Sequence, residues 1–123
     1  MRREQRLTKS RDFATVYRES RAFSSRLLVV RPKANDLARN RYGFVASRAV
    51  GKAVVRNKVR RRLKEAVRSL CLDKGWDIVI IARRTAGPAD YHQLQTSLAA
   101  LLRRAGIARA AEVGGVEKEN REG

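Results

Sequence analysis

The run RYGFVASRAVGKAVVRNKVRRRLKEAVR, residues 41–68, decides how the rest of the chain is read. Its first seven residues alternate, with Tyr42, Phe44 and Ala46 on one side and Gly43, Val45 and Ser47 on the other. That period of two is a strand. Residues 49–53, punctuated by Gly51, read as a turn. From Val54 or Val55 the period changes: Val55, Val59, Leu63, Ala66, Val67 and Leu70 recur at spacings of three and four. They form the apolar stripe of a long helix, expected to run to about Leu72 and to cover a core.

The same segment concentrates charge. Residues 48–68 hold nine basic side chains, Arg48, Lys52, Arg56, Lys58, Arg60, Arg61, Arg62, Lys64 and Arg68, against one acid, Glu65. With the apolar stripe inward, Asn57, Arg61, Lys64 and Arg68 point away from the core and Arg60 lies beside them. Arg56 sits at the helix entrance, where free backbone N–H groups also favour an anion. Like charges four apart (Arg60/Lys64, Lys64/Arg68) destabilise a helix by roughly 0.2–0.5 kcal/mol each, so this face repels itself until phosphates neutralise it. A merely solvated face does not account for charge this dense, one-sided and unaccompanied by acids. A membrane-surface helix would need its apolar stripe free and aromatically anchored, whereas this stripe is Val, Ala and Leu and is required for the core.

Outside this segment the charge persists. The chain has 123 residues, 43% hydrophobic, enough for one folded domain. It carries 29 Lys+Arg against 12 Asp+Glu, a formal net charge of +17, and 22 of the basic residues are Arg. Such like charge opposes compaction unless a polyanion is the usual partner, and the arginine fork grips phosphate in bidentate fashion. One Cys (Cys71) and one His (His92) exclude an internal disulfide and an ordinary zinc site, and point to a reducing compartment. No nucleophile elbow or Walker loop is present. The longest apolar runs, residues 27–30 and 78–82, are too short to span a bilayer. Residues 1–6 are charged with no apolar stretch behind them, unlike a secretory leader. A cytoplasmic location is expected.

Towards the N-terminus, residues 7–10 read as a helix start, with Thr8 or Ser10 as N-cap and Asp12 in the first turn. Phe13, Val16 and Tyr17 fall on one helical face, and the small polar residues 20–25 end it. Residues 26–31 are a short β run closed by Pro32, and 33–40 a polar loop. The short connection predicts that this strand and the one at 41–47 are antiparallel neighbours. Towards the C-terminus, Gly75 reads as a left-handed stop. Trp76–Ala82 (WDIVIIA) reads as a central strand buried on both faces, and 84–89 as a loop. Asp90 is the expected N-cap of a last helix that carries Tyr91, Leu94, Leu98, Leu101 and Leu102 on one face and that Gly106 ends. The fold expected is α+β, a single-sheet α/β sandwich in the order α-β-β(-β)-α-β-α. Residues 1–109 are expected to make a single domain whose charge calls for a polyanion, and 110–123, Gly/Glu-rich and without apolar period, are expected to be a disordered tail.

A second constellation is Phe13 and Tyr17 with Lys9, Arg11 and Arg18 nearby. Rings among cations suit stacking on unpaired bases, yet periodicity alone favours a plain core role. Trp76 reads as core or edge packing, Cys71 as partly buried packing, and His92 as an exposed structural residue.

Residues 43–61, GFVASRAVGKAVVRNKVRR, resemble the protein component of bacterial ribonuclease P. Residues 7–13 (LTKSRDF) resemble that family's opening and 76–83 (WDIVIIAR) its last strand; the likeness covers about residues 6–105. It implies a subunit of an endonuclease that removes the 5′ leader from precursor tRNA, with chemistry in a magnesium-dependent catalytic RNA. It implies no catalytic residue in this chain, and a ribosomal-protein-like domain with a left-handed βαβ crossover, against the usual handedness. The family's Arg-Asn-Arg motif falls on Arg56, Asn57 and Lys58, where Lys58 keeps the charge without the fork. Arg48, Lys52, Arg60, Arg61, Lys64 and Arg68 complete the expected RNA-binding set. The family's aromatic cleft for the leader falls on Phe13 and Tyr17, which reverses the core reading of those rings. Arg31 stands where a further aromatic is common, turning that part of the cleft towards phosphate. The rival reading is a ribosomal protein or RNA chaperone without an enzyme, which would show no dependence on a 5′ leader. A helix-turn-helix DNA binder is disfavoured because the turn before the basic helix follows a strand, and a self-sufficient metal nuclease because the basic region lacks carboxylates.

Overall fold

The computed structural model describes residues 2–109; the expected tail at 110–123 lies outside them. Three helices and four strands follow in the order α1 (Ser10–Glu19), β1 (Phe23–Ser24), β2 (Leu28–Ala34), β3 (Arg41–Ala46), α2 (Ala53–Arg68), β4 (Trp76–Ala82) and α3 (Tyr91–Arg104). The sheet order is β1-β2-β4-β3.

This order corrects the expected pairing of the two early strands. β4 lies between them, antiparallel to β2 and parallel to β3. The reason is the composition of β4. Ile78, Val79 and Ile80 are fully buried, and a strand apolar on both faces gains most from the centre of a sheet. β3, α2 and β4 thus form a βαβ unit with adjacent parallel strands. Pro32 does not close β2 but stands inside it, opposite Ile78. β1 pairs only with Val29 and Val30, so beyond Val30 β2 is an edge strand, where a missing N–H is tolerated.

Alternation along the strands builds two cores. Leu28, Val30, Tyr42, Ala46, Ile78 and Ile80 face α2 and α3, meeting Val59, Leu63, Leu98 and Leu102. Val79, Val45 and Ile81 face the other way, towards Leu7, Phe13 and Val16 of the α1 side. Arg31, Val79 and Gly43 are in register across β2, β4 and β3. The next row on that face, Val29, Ile81 and Val45, is only half-buried, leaving a shallow floor beside α1.

Helix ends depart from expectation in two places. Lys9 is the N-cap of α1, and no side chain caps it; Ser10 is already the first helical residue. α2 stops at Arg68 rather than Leu72. The Ser69 hydroxyl donates to the Ala66 carbonyl at 2.7 Å, and the chain then pairs with the end of the fold: Asp73 N–H donates to Ile107 O and Arg109 N–H to Cys71 O. Cys71 is exposed, not partly buried. Asp90 does cap α3, in a capping box with Gln93 whose two bonds are 2.8 and 2.9 Å. Gly106 ends it at φ +79°, and Gly75 turns into β4 at φ +95°.

Candidate nucleic-acid interface

Each functional side chain is placed by the period of its element. Val59, Leu63, Ala66 and Val67 bury the inner face of α2, which turns Lys52, Asn57, Lys58, Arg61 and Arg68 fully outward, with Arg48 just before the helix. Sixteen residues make this face about 24 Å long. Arg56, Arg60 and Lys64 are half-buried at its flank. Arg60 donates to Asn57 Oδ1 at 2.6 Å, and Lys64 Nζ stands 6.0 Å from the Phe44 ring centroid. Lys64 therefore leans over the edge of β3 rather than straight out. Arg56 Nε is buried with no hydrogen-bond partner. Arg62 turns the other way and donates to the Ala89 carbonyl at 2.7 Å, holding α2 to the loop before α3.

Charge on this face is uncompensated. Among the described residues, Arg68 pairs with Glu65 at 2.8 Å, and no other basic residue of the 48–68 segment makes an ion pair. No three His, Cys, Asp or Glu side chains among the described residues form a group that could hold a metal ion. The surface is built to meet anions: its side chains are nearly all donors, and Glu65 is the one acid in the segment.

The sequence-predicted cleft residues divide. Phe13 is half-buried against the α1-side core, and its ring edge also lines a cavity of ≈ 200 Å³ with Arg6, Thr8, Phe44, Arg60 and Lys64. That cavity brings the aromatic of α1 to the basic flank of α2, an adjacency absent from the sequence. Tyr17 remains 41% exposed. The Arg31 guanidinium lies 5.5 Å from the Tyr17 ring centroid and donates to Ser20 Oγ at 3.4 Å and to the Tyr17 carbonyl at 3.4 Å. Arg31 thus holds the last turn of α1 to β2 while keeping its charge at the cleft.

A cavity that sequence reasoning missed, ≈ 540 Å³, opens at the C-terminal ends of β3 and β4, lined by Arg26, Arg83, Arg84, Ser47 and Thr85. The signal was present: two arginines follow the apolar strand without a spacer.

At the other end of the same strands the site is braced. Arg41 Nε and Nη2 donate to Asp77 Oδ1 at 2.9 Å and Oδ2 at 2.7 Å, and Arg41 also lies 3.7 Å from Asp12 of α1. The Asp77 hydrogen bonds, against the opposing pull of burial, push the Arg41 pKa further up, and the Asp77 and Asp12 charges add to this. For Tyr42 burial acts in the other direction and pushes the phenol up, opposed by the hydrogen bond from the Asn40 amide.

Comparison with known proteins agrees with this architecture. The family model for Ribonuclease P matches residues 1–106. The ribonuclease P protein component of Clostridium botulinum (strain 657 / Type Ba4) is 42% identical over 109 residues, covering 85% of this chain and 97% of the relative. The solved RNase P protein of Staphylococcus aureus superposes with a TM-score of 0.78 at 30% identity, covering 85% of this chain and 98% of that one. That of Thermotoga maritima gives 0.72 at 32%, covering 80% and 96%. Among the described residues no helix is long and apolar enough to cross a membrane. The chain belongs to the protein components of ribonuclease P, subunits of a ribonucleoprotein endonuclease that works with a catalytic RNA in tRNA processing.

Proposed function

We propose that the outer face of α2 docks on the catalytic RNA of ribonuclease P and that the cleft between α1 and the sheet holds the 5′ leader of precursor tRNA. The contact set is Arg48, Lys52, Arg56, Asn57, Lys58, Arg60, Arg61, Lys64 and Arg68 for the RNA, and Phe13, Tyr17 and Arg31 for the leader. The observation that carries this is the row of basic side chains from Arg48 to Lys64 without an acid partner among the described residues. Phosphates relieve that repulsion and release counterions, so binding is tight and salt-dependent.

Leader recognition rests on the exposed Tyr17 ring, the charge of Arg31 beside it, and the half-buried floor of Val29, Ile81 and Val45. Magnesium required by the reaction is held by RNA, since this surface supplies donors and almost no carboxylates. The protein acts in the cytoplasm, by position and charge: it screens phosphate repulsion and favours the leader-bearing substrate over the shorter product. To test docking, affinity for the catalytic RNA is measured for Arg56→Ala, Arg60→Ala and Arg61→Ala against Arg39→Ala. Each α2 variant is expected to lower the salt slope by about 0.7–0.9; equal affinities for all four variants overturn the proposal.

A further inference from the structure

A second set of unpaired cations lies on the opposite edge of the sheet from β3. β1 is the outermost strand on that side. Its Phe23 ring is half-buried, with the Arg21 guanidinium 5.1 Å and the Arg104 guanidinium 6.0 Å from its centroid. Arg103 stands exposed next to Arg104 in the last turn of α3. Arg104 Nη1 also donates to the Ser24 carbonyl at 3.3 Å. Among the described residues none of these three arginines makes an ion pair.

Two like charges held on one ring repel each other, and the ring quadrupole offsets only part of that. A helix C-terminus favours Arg103 and Arg104, but Arg21 belongs to no helix and gains nothing from that dipole. A ring contact restrains a guanidinium while leaving most of its N–H donors free. Such pre-ordered forks suit phosphate oxygens, which accept in bidentate fashion. Side-chain ordering, a main cost of binding through arginine, is partly met before the partner arrives.

We propose that Arg21, Arg103 and Arg104 around Phe23 form a second phosphate-binding surface for RNA, which holds the protein between two backbone segments, one on α2 and one on the β1–α3 edge. This rests on the docking of α2 to the catalytic RNA and extends it to a face that neither that docking nor the leader cleft uses. The edge binds backbone without reading sequence, since it offers charge and no groove-reading element.

The test compares binding of the in-vitro transcribed catalytic RNA to the unaltered protein, to the double variant Arg21→Gln/Arg104→Gln, and to the double variant Arg60→Ala/Arg61→Ala, across a salt series. Losing two phosphate contacts is expected to lower the salt slope by about 1.4–1.8 in either double variant. In hydroxyl-radical footprints, each double variant should lose a different protected segment. An edge variant with unchanged slope and footprint, beside an α2 variant that loses both, overturns the second surface and leaves the α2 docking intact. If both double variants bind like the unaltered protein, the docking proposal itself fails. Should the edge double variant melt differently from the unaltered chain, Arg103→Glu replaces it, an exposed change expected to give the same direction of effect; an unchanged slope there overturns the proposal equally.

Discussion

The ring of Phe13 lies directly on the backbone of Gly43: a Cβ built at Gly43 would stand 2.5 Å from Phe13 Cε1 and 2.6 Å from Cζ. Gly43 has no positive φ, so the requirement for glycine is the ring above it and not the backbone. Gly43→Ala should therefore act by lifting Phe13 and α1 off β3. The expected loss is about 1–3 kcal/mol, as for other overpacked sites. Phe13→Ala/Gly43→Ala should be less destabilised than the sum of the single variants, because the two residues are in contact. Urea unfolding of the four proteins checks this; strict additivity would show that the ring does not bear on Gly43.

Arg41 and Asp77 tie the starts of β3 and β4 together and, through Asp12, reach α1. Asp77 is 6% exposed and also accepts from the Asn35 amide at 2.9 Å. Asp77→Ala takes away the main partner of Arg41, which is partly exposed and keeps Asp12 nearby, and should cost about 1–3 kcal/mol. Arg41→Met/Asp77→Leu should recover much of that loss, since removing both charges removes the desolvation penalty. Chemical denaturation midpoints of the single and double variants decide it.

Tyr42 predicts an alkaline effect with a definite sign. Its phenol titrates above the ordinary value of 10.0 because it is buried. Below pH 10 the folded and unfolded chains both keep the proton. Above it the unfolded chain releases the proton first, so stability falls as pH rises. Tyr42→Phe should flatten that decline and remove the latest phase of tyrosinate absorbance. An unchanged titration would place the late phase on another tyrosine.

Much of this fold could be read from residue types. The stripe of α2, the doubly buried β4 and the Asp90 cap each follow from local pattern, because a helix face, a central strand and a capping box are decided by neighbours in sequence. Sheet order could not be read in that way. Two β runs joined by a short loop suggest a hairpin, and only the two-sided burial of Ile78–Ile80 forces β4 between them. The same limit held at the site. Asn57, Arg61 and Arg68 turn outward as the period of α2 predicts, but Lys64 does not, and the cavity joining Phe13 to Arg60 and Lys64 depends on β3 being an edge strand. Cys71 was misplaced because pairing of residues 71–73 with 107–109 ends the helix early.

Tyr17 and Arg31 should contribute to substrate choice rather than to RNA docking. Tyr17→Ala is expected to weaken binding of leader-bearing precursor by about 1–3 kcal/mol, the usual worth of one base on an aromatic ring. Binding of leaderless precursor should hardly change. Equal losses for both substrates would remove the cleft from leader recognition.

The most direct measurement is cleavage of precursor tRNA by the catalytic RNA of ribonuclease P at low magnesium, with and without this protein, over a salt series. Restored cleavage at the 5′ junction, with protein–RNA affinity falling by about 0.7–0.9 log units per neutralised phosphate for each tenfold rise in salt, is the predicted result. Binding to the RNA with no change in cleavage would contradict it, and would leave the basic face of α2 as an RNA-binding surface with no part in removing the leader.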